Sequence, residues 1–473
     1  MSEESKSSFF RQSGWMMIAT FVTGVLMWAV HPLSKFIAPA EYGLMGTMLR
    51  FIVLMTIPAA AIQIIVARHT SAAITSDEKK RLAAEARTIL KLGTIVWMLG
   101  GGWVAIRQDW VIATWQVANP AIIWATYASG LALLWWAVFI GILQGRQNFL
   151  WFGWAQMISG IGRVGVAWLV VIALKMQATG IMSAAFFGIA VSALTAGWQV
   201  RDIFSEERVK FSIAPWVKEF VPLALAGTTV QIFMSVDQMV VNSRFPEGKI
   251  GAYTAVVTLA NALVTFTIPI ALVMFPKIVR SDRLSTKSNI LPMTLLTTLA
   301  VGAFGAICLT VMAPLAIKLG FNARFGPIAP LVPWFAWCIL PLALNNVFIS
   351  HFIARGQFKV TSALVLVALG YLFTLINTVK PVVLPENMVD PIEVTAFLMP
   401  HFQSVVKTLG LFNLILLAAA SIVYYATRNN ESSLAGTSES PDSSSPVGSA
   451  SGGAPIAFEP PDASLLIPPA ASP

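Results

Sequence analysis

Charged residues are scarce in this sequence. Of its 473 residues, 11% are Asp, Glu, Lys or Arg, whereas 56% are hydrophobic. Soluble domains carry about 25% charged residues, so the composition excludes an ordinary water-soluble protein and indicates one that lies in a membrane. The net charge of +9 does not indicate nucleic-acid binding, because the positive side chains follow a membrane pattern.

Residues typical of metal sites and catalysis are also few. The two cysteines, Cys308 and Cys338, both lie in apolar runs, which argues against a disulfide and a metal site. The sequence has no Walker motif, no Cys/His cluster and no Ser/His/Asp arrangement in a suitable context. We therefore predict a protein that is not an enzyme and uses no cofactor or metal. The polar segment 1–14 runs into a long apolar run without a cleavage site, so we expect the first helix to be retained.

Twelve mostly apolar runs of roughly 20 residues are long enough to cross a bilayer as helices. They predict an all-α polytopic membrane protein. The predicted spans are 14–37, 42–67, 89–107, 120–144, 149–174, 179–200, 219–243, 250–276, 290–317, 328–354, 359–379 and 402–426.

The loops between these spans differ in positive charge. With the N-terminus in the cytoplasm, 20 of the 31 Lys and Arg residues lie on the inner side and nine on the outer side, and Arg50 and Arg163 remain inside spans. Because positive residues concentrate in cytoplasmic loops, we predict that both termini are cytoplasmic.

Short motifs recur between the two halves of the chain. Thr-Ile-Pro occurs at 56–58 and at 267–269, and the turns after the fourth and tenth spans contain Gly145 and Gly356; both pairs are 211 positions apart. An offset of six spans keeps the halves in the same orientation. The repeat therefore predicts two parallel, pseudo-symmetric six-helix bundles, a known plan among transporters.

The predicted organisation has three parts. Residues 1–210 form an N-terminal lobe and residues 211–428 a C-terminal lobe. Residues 429–473 are rich in Ser, Pro, Gly and Ala, which predicts a disordered cytoplasmic tail.

Arg50 is the first candidate site residue. It lies roughly 13 Å into the second span, too deep to reach the outer surface comfortably. Charged residues inside membranes are usually functional, so we predict that Arg50 contacts an anionic substrate. The alternative is a structural arginine bound to carbonyls or to a neighbouring acid.

Arg163 is the second candidate, roughly 20 Å along the fifth span. The surrounding residues 160–165 match the G-x-G-x-x-G pattern, but that fingerprint needs a preceding strand and here lies in mid-helix. Its glycines are better explained by close helix packing. Arg163 is predicted to contact substrate, with a structural role as the alternative.

Asp237, in the outer half of the seventh span, is the third candidate. A buried acid among basic groups is usually paired, so an ion pair with Arg50 or Arg163 or a brace near Arg244 is expected. Binding of substrate or of a coupling cation is the functional alternative.

Four segments resemble one family of transporters. They are residues 39–43 (PAEYG), 143–149 (LQGRQNF), 235–241 (SVDQMVV) and 251–253 (GAY). Together they resemble the polysaccharide-exporter branch of the multidrug/oligosaccharidyl-lipid/polysaccharide (MOP) flippase superfamily.

The resemblance implies two lobes around a central cavity that opens alternately to each side. It implies a bacterial inner-membrane flippase for undecaprenyl-diphosphate-linked oligosaccharides in polysaccharide or lipopolysaccharide synthesis. Membrane lipids and the enzymes of that synthesis are the implied partners. Our hypothesis is that Arg50 and Arg163 bind the diphosphate, since arginine suits paired contacts with phosphate oxygens.

Two other functions remain open. A cation-coupled multidrug (MATE-type) antiporter has the same fold, but the first span lacks the acid that this branch often uses, and two cavity arginines would repel cationic cargo. A membrane glycan polymerase or ligase usually needs a large external loop, for which only residues 380–401 are available.

Overall fold

The protein is built from α-helices. A computed structural model describes residues 3–246, 249–283, 290–385 and 390–437, and within these ranges there is no strand. Short 3-10 helices lie at His31–Lys35, Arg201–Ser205 and Ala323–Ile328. The α-helices are α1 (Glu3–Trp28), α2 (Pro39–Ala72), α3 (Ser76–Ile106), α4 (Gln108–Trp115), α5 (Ala121–Gly145), α6 (Phe149–Ile172), α7 (Ala178–Gln199), α8 (Ile213–Arg244), α9 (Ile250–Arg283), α10 (Ile290–Gly320), α11 (Leu331–Ala354), α12 (Phe358–Thr378) and α13 (Pro391–Thr437).

Within the described residues, eleven helices are long and apolar enough to cross a membrane, namely α2, α3 and α5 to α13. Each coincides with one predicted span, and the remaining predicted span, 14–37, falls on α1 and the 3-10 helix after it. The prediction of an all-α polytopic membrane protein is confirmed. Helix α4, in a segment predicted to be a loop, has eight residues and is too short to cross a bilayer.

The two halves of the chain repeat the position of a long helix. Helix α2 is the second α-helix of the first half, and α9 is the second α-helix of the second half. Since α2 and α9 begin 211 residues apart, the Thr-Ile-Pro motifs at 56–58 and 267–269 occupy the same position in the two helices.

The turns that follow α5 and α11 also match, but not in the predicted register. Gln147 (φ 57°) and Gly356 (φ 68°) each take the left-handed conformation that often ends a helix. In both turns the next residue donates its N–H to the carbonyl five positions earlier. The equivalent residues are therefore 209 positions apart, and the pairing of Gly145 with Gly356 is wrong, because the left-handed residue of the first turn is Gln147.

Helix α2 links the two halves of the chain. It packs against α5 in the first half and against α8 and α9 in the second. At Gly43 the approach is close, since a Cβ there would lie 2.9 Å from the backbone N of Gly251 in α9. The other extensive contacts stay within one half, such as α6 with α7 and α9 with α11. The lobe boundary at residue 210 stays a prediction.

The C-terminal region differs from the predicted loop and tail. Residues 1–424 form one compact unit, and a second unit begins at Tyr425. Helix α13 runs from Pro391 to Thr437, so it includes half of the predicted 380–401 loop and the first residues of the predicted tail. The tail from residue 438 onward lies outside the described residues.

Candidate functional site

Arg50 lies on the face of α2 that meets the second half of the chain. The half-buried side chain donates from Nε to Oε1 of Gln238 in α8, at 3.0 Å. Gln238 is fully buried and donates in turn to Oγ1 of Thr254 in α9, at 2.9 Å. Among the described residues, no acceptor is bonded to the two Nη groups of Arg50. One edge of the guanidinium is therefore anchored, and the other is available to a ligand.

Asp237 supplies a negative charge near this network. The side chain is 1% exposed, and its Oδ2 accepts a hydrogen bond from the hydroxyl of Tyr253 at 2.9 Å. Its Oδ1 has no hydrogen-bond partner among the described residues. The charges of Asp237 and Arg50 interact electrostatically, but no direct ion pair joins them in the described part of the chain. The expected ion pair is thus replaced by an interaction at longer range.

Arg163 lies on α6, where the glycines of its motif bring helices together. A Cβ at Gly162 would lie 3.0 Å from the Cα of Gly188 in α7, and a Cβ at Gly160 would lie 3.0 Å from the Cβ of Leu26 in α1. These contacts agree with the packing role predicted for the glycines. The half-buried Arg163 places Nη1 3.1 Å from the Sδ of Met27, a weak acceptor.

The guanidinium of Arg163 is incompletely satisfied. Its Nε is buried and has no hydrogen-bond partner in the described structure. Buried polar groups are nearly always hydrogen-bonded, so an unpaired one in a native protein calls for a physical explanation. An anion that accepts from this guanidinium would supply one.

His31 lies near both arginines. The imidazole interacts electrostatically with both Arg163 and Arg50, and its Nδ1 lies 2.9 Å from the hydroxyl oxygen of Tyr42. The predicted cations therefore lie in the neighbourhood of one side chain, although they come from α2 and α6. Substrate binding by Arg50, Arg163 and Asp237 stays a prediction.

Sequence reasoning did not single out the partners that hold these groups. Gln238 and Tyr253 lie within the motifs at 235–241 and 251–253, and Thr254 directly follows the second motif. A polar side chain in mid-span is a usable signal for a bond between helices. Gln63 of α2 donates to Gln144 of α5 at 2.9 Å, and Asn261 of α9 donates to the carbonyl of Met234 in α8 at 3.2 Å.

The sequence is similar to a family of known proteins. A model of the family described as "Polysaccharide biosynthesis protein" matches residues 9–282, a range that contains all three predicted site residues. No curated protein matches the chain.

Several solved structures share the fold. An inward-facing MATE family multidrug resistance transporter of the MOP superfamily is 12% identical with a TM-score of 0.68, covering 88% of this chain and 96% of that one. The lipid II flippase MurJ, in an inward closed conformation, is 14% identical with a TM-score of 0.65, covering 87% of each chain. A MOP superfamily transporter from Pyrococcus furiosus is 15% identical with a TM-score of 0.53, covering 90% of this chain and 95% of that one.

Proposed function

The chain belongs to the polysaccharide biosynthesis protein family of the MOP superfamily, and from this premise we propose that it flips an undecaprenyl-diphosphate-linked oligosaccharide across the membrane. The observation that carries the proposal is a pair of half-buried arginines, on α2 and α6, that interact with the same histidine and form no direct ion pair with an acid in the described structure. A diphosphate is the anionic part of such a substrate.

Arg50 is arranged to bind an anion that must also be released. Because its hydrogen-bond partner Gln238 is neutral, the guanidinium keeps its positive charge for the diphosphate. The negative charge of Asp237 weakens the attraction of Arg50 for the diphosphate from a distance, without occupying the Nη groups. A site that bound the diphosphate too tightly would hold the substrate and stop transport, so a remote countercharge suits a transporter.

Arg163 would provide the second contact. Its unpaired Nε and its weak sulfur contact leave donors that phosphate oxygens accept well. In this proposal the diphosphate bridges α2 and α6 near His31, while the lipid chain stays in the bilayer.

The choice of a lipid-linked substrate draws support from the fold. One structural neighbour is a lipid II flippase, so this fold does accommodate a lipid-linked cargo in another protein. The family resemblance supports a location in the bacterial inner membrane, and the loop charges support a cytoplasmic position for both termini. The enzymes that build and use the lipid-linked sugar are its proposed partners.

Transport by purified protein in liposomes tests the proposal directly. We expect Arg50→Ala to slow flipping of a polyprenyl-diphosphate oligosaccharide by about 10- to 100-fold, because a hydrogen bond to a charged group contributes roughly 1.5–3 kcal/mol. Arg163→Ala should also slow it. The matched control is Arg107→Ala, which removes an exposed arginine at the end of α3.

The outcomes are distinct. Full transport by Arg50→Ala and Arg163→Ala would overturn the site. Efflux of a cationic dye by the wild type, without movement of the lipid-linked sugar, would favour the multidrug antiporter instead, as in the MATE neighbour.

A further inference from the structure

A groove lies between α11 and α13. It has a volume of about 610 Å³, and its walls are apolar. Among the residues that line it, Lys407 alone is charged. The groove therefore combines a long apolar surface with one positive charge.

The floor of the groove is fixed by contacts between the two helices. A Cβ at Gly410 would lie 2.8 Å from Sγ of Cys338, so α11 and α13 already touch there. Asn345 donates to the carbonyl of Asn413 at 3.0 Å, and Asn413 donates to the carbonyl of Cys338 at 3.0 Å. These bonds hold α11 and α13 together next to the groove.

The walls of the groove face the bilayer. The exposed fractions of Trp334, Trp337, Leu411 and Leu414 are 45%, 46%, 57% and 55%. All four lie on helices apolar enough to span a membrane. Large apolar side chains exposed on such helices meet hydrocarbon, so the apolar part of the groove fits a lipid chain.

The charge lies at one end of the groove. The Nζ of Lys407 is 5.1 Å from the ring centre of Trp334, close to the start of α11 at Leu331. Trp and Lys are typical of the headgroup level of a membrane. From Trp334 to Pro341 the groove continues for about 10 Å along the helix, toward the bilayer interior.

We propose that this groove is a binding site for a phospholipid with an anionic headgroup. The phosphate contacts Lys407 at the end of the groove, and one acyl chain lies along Trp337, Leu411 and Leu414. Among the described residues, no carboxylate lines the groove to compete for the lysine. The site is independent of the proposed transport function, since it lies on α11 and α13 and shares no residue with the arginine site.

Lipid binding to the purified full-length protein, measured by native mass spectrometry, tests the proposal. We expect Lys407→Ala to weaken binding of phosphatidylglycerol by about tenfold or more, as loss of a charged hydrogen bond implies, and Lys407→Arg to restore it. The control is Lys318→Ala, which removes an exposed lysine in the last turn of α10 outside the groove.

A second variant tests the apolar part of the site. Leu414→Trp fills the groove from an exposed position and should weaken binding of phosphatidylglycerol and phosphatidylcholine alike. Leu296→Trp, at a position 68% exposed on α10, should leave both unchanged. Equal phosphatidylglycerol binding by the wild type and Lys407→Ala would overturn the proposal, as would equal losses in Lys407→Ala and Lys318→Ala.

Discussion

Two arginines of α2 form the two ends of its contact with α8. One arginine bonds a neutral side chain, and the other bonds a carboxylate. In the first half of α2, Arg50 bonds the neutral, buried Gln238. Near its end, Arg68 bonds the carboxylate of Glu219, and the two side chains are 56% and 42% exposed. The exposed end cancels its charge by direct pairing, whereas the buried end keeps a positive charge that can act on a ligand.

The exposed contact of Arg68 with Glu219 lies next to a buried carboxylate. Glu85 of α3 is 4% exposed and accepts hydrogen bonds from His69 (2.8 Å) and from Trp216 of α8 (3.1 Å). The other ring nitrogen of His69 lies 3.5 Å from Glu219. Two carboxylates thus hold α8 against the first half of the chain. We expect the buried one to contribute more, because water cannot replace it at the buried Trp216.

The largest effect is expected from Glu85→Ala. Trp216, itself buried, would lose its acceptor and His69 its carboxylate, so the free energy of unfolding should fall by about 3 kcal/mol. Denaturation of the detergent-solubilised protein measures it. Glu207→Ala, which removes a 77% exposed acid paired with Lys80, is the control. If both variants lose the same stability, burial does not distinguish the two acids.

The second-largest effect is expected at the buried contact between Arg50 and Gln238. Gln238→Leu leaves Nε of Arg50 and the hydroxyl of Thr254 without their partner, which should slow transport about tenfold, equivalent to roughly 1.4 kcal/mol. Gln63→Leu breaks the hydrogen bond between Gln63 and Gln144 inside the first half. This variant should change transport much less. Equal rates for Gln238→Leu and the wild type would mean that Arg50 needs no anchor.

A smaller effect is expected from Glu219→Gln. The pair with Arg68 is exposed, so its loss should cost about 1 kcal/mol or less, and the difference from the wild type should shrink in concentrated salt. Unfolding at low and high salt measures both. A loss as large as that of Glu85→Ala would contradict the contrast between exposed and buried partners.

The smallest effect is expected at an exposed pair that does not touch α8. Arg146 donates to both oxygens of Asp202 at 2.9 and 2.6 Å, and these hydrogen bonds hold the pKa of Asp202 below its ordinary value. A depressed carboxyl pKa contributes stability that is present above the ordinary pKa and is lost as the pH falls through the lowered one. Below about pH 4, therefore, the wild type should lose its small advantage over Asp202→Asn. An advantage that grew on acidification would exclude this pairing.

The hydropathy of the sequence was sufficient to predict the helices, because bilayer thickness imposes a length that runs of Leu, Ile, Val and Ala reveal. It also indicated Arg50, Arg163 and Asp237, since charges in such runs are rare. The bond from Arg50 to Gln238 joins residues 188 positions apart, and no periodicity in a single sequence specifies such a pairing. Helix α4 was missed because eight residues leave no distinct pattern.

The matched turns at Gln147 and Gly356 have a consequence for engineering. The shift between equivalent residues is 211 at the start of α2 and 209 in these turns. The second copy is therefore two residues shorter than the first between the start of its long second helix and the left-handed residue of its turn. A chimera that exchanges one helix for its counterpart should be joined within the connections, with a different shift for each helix.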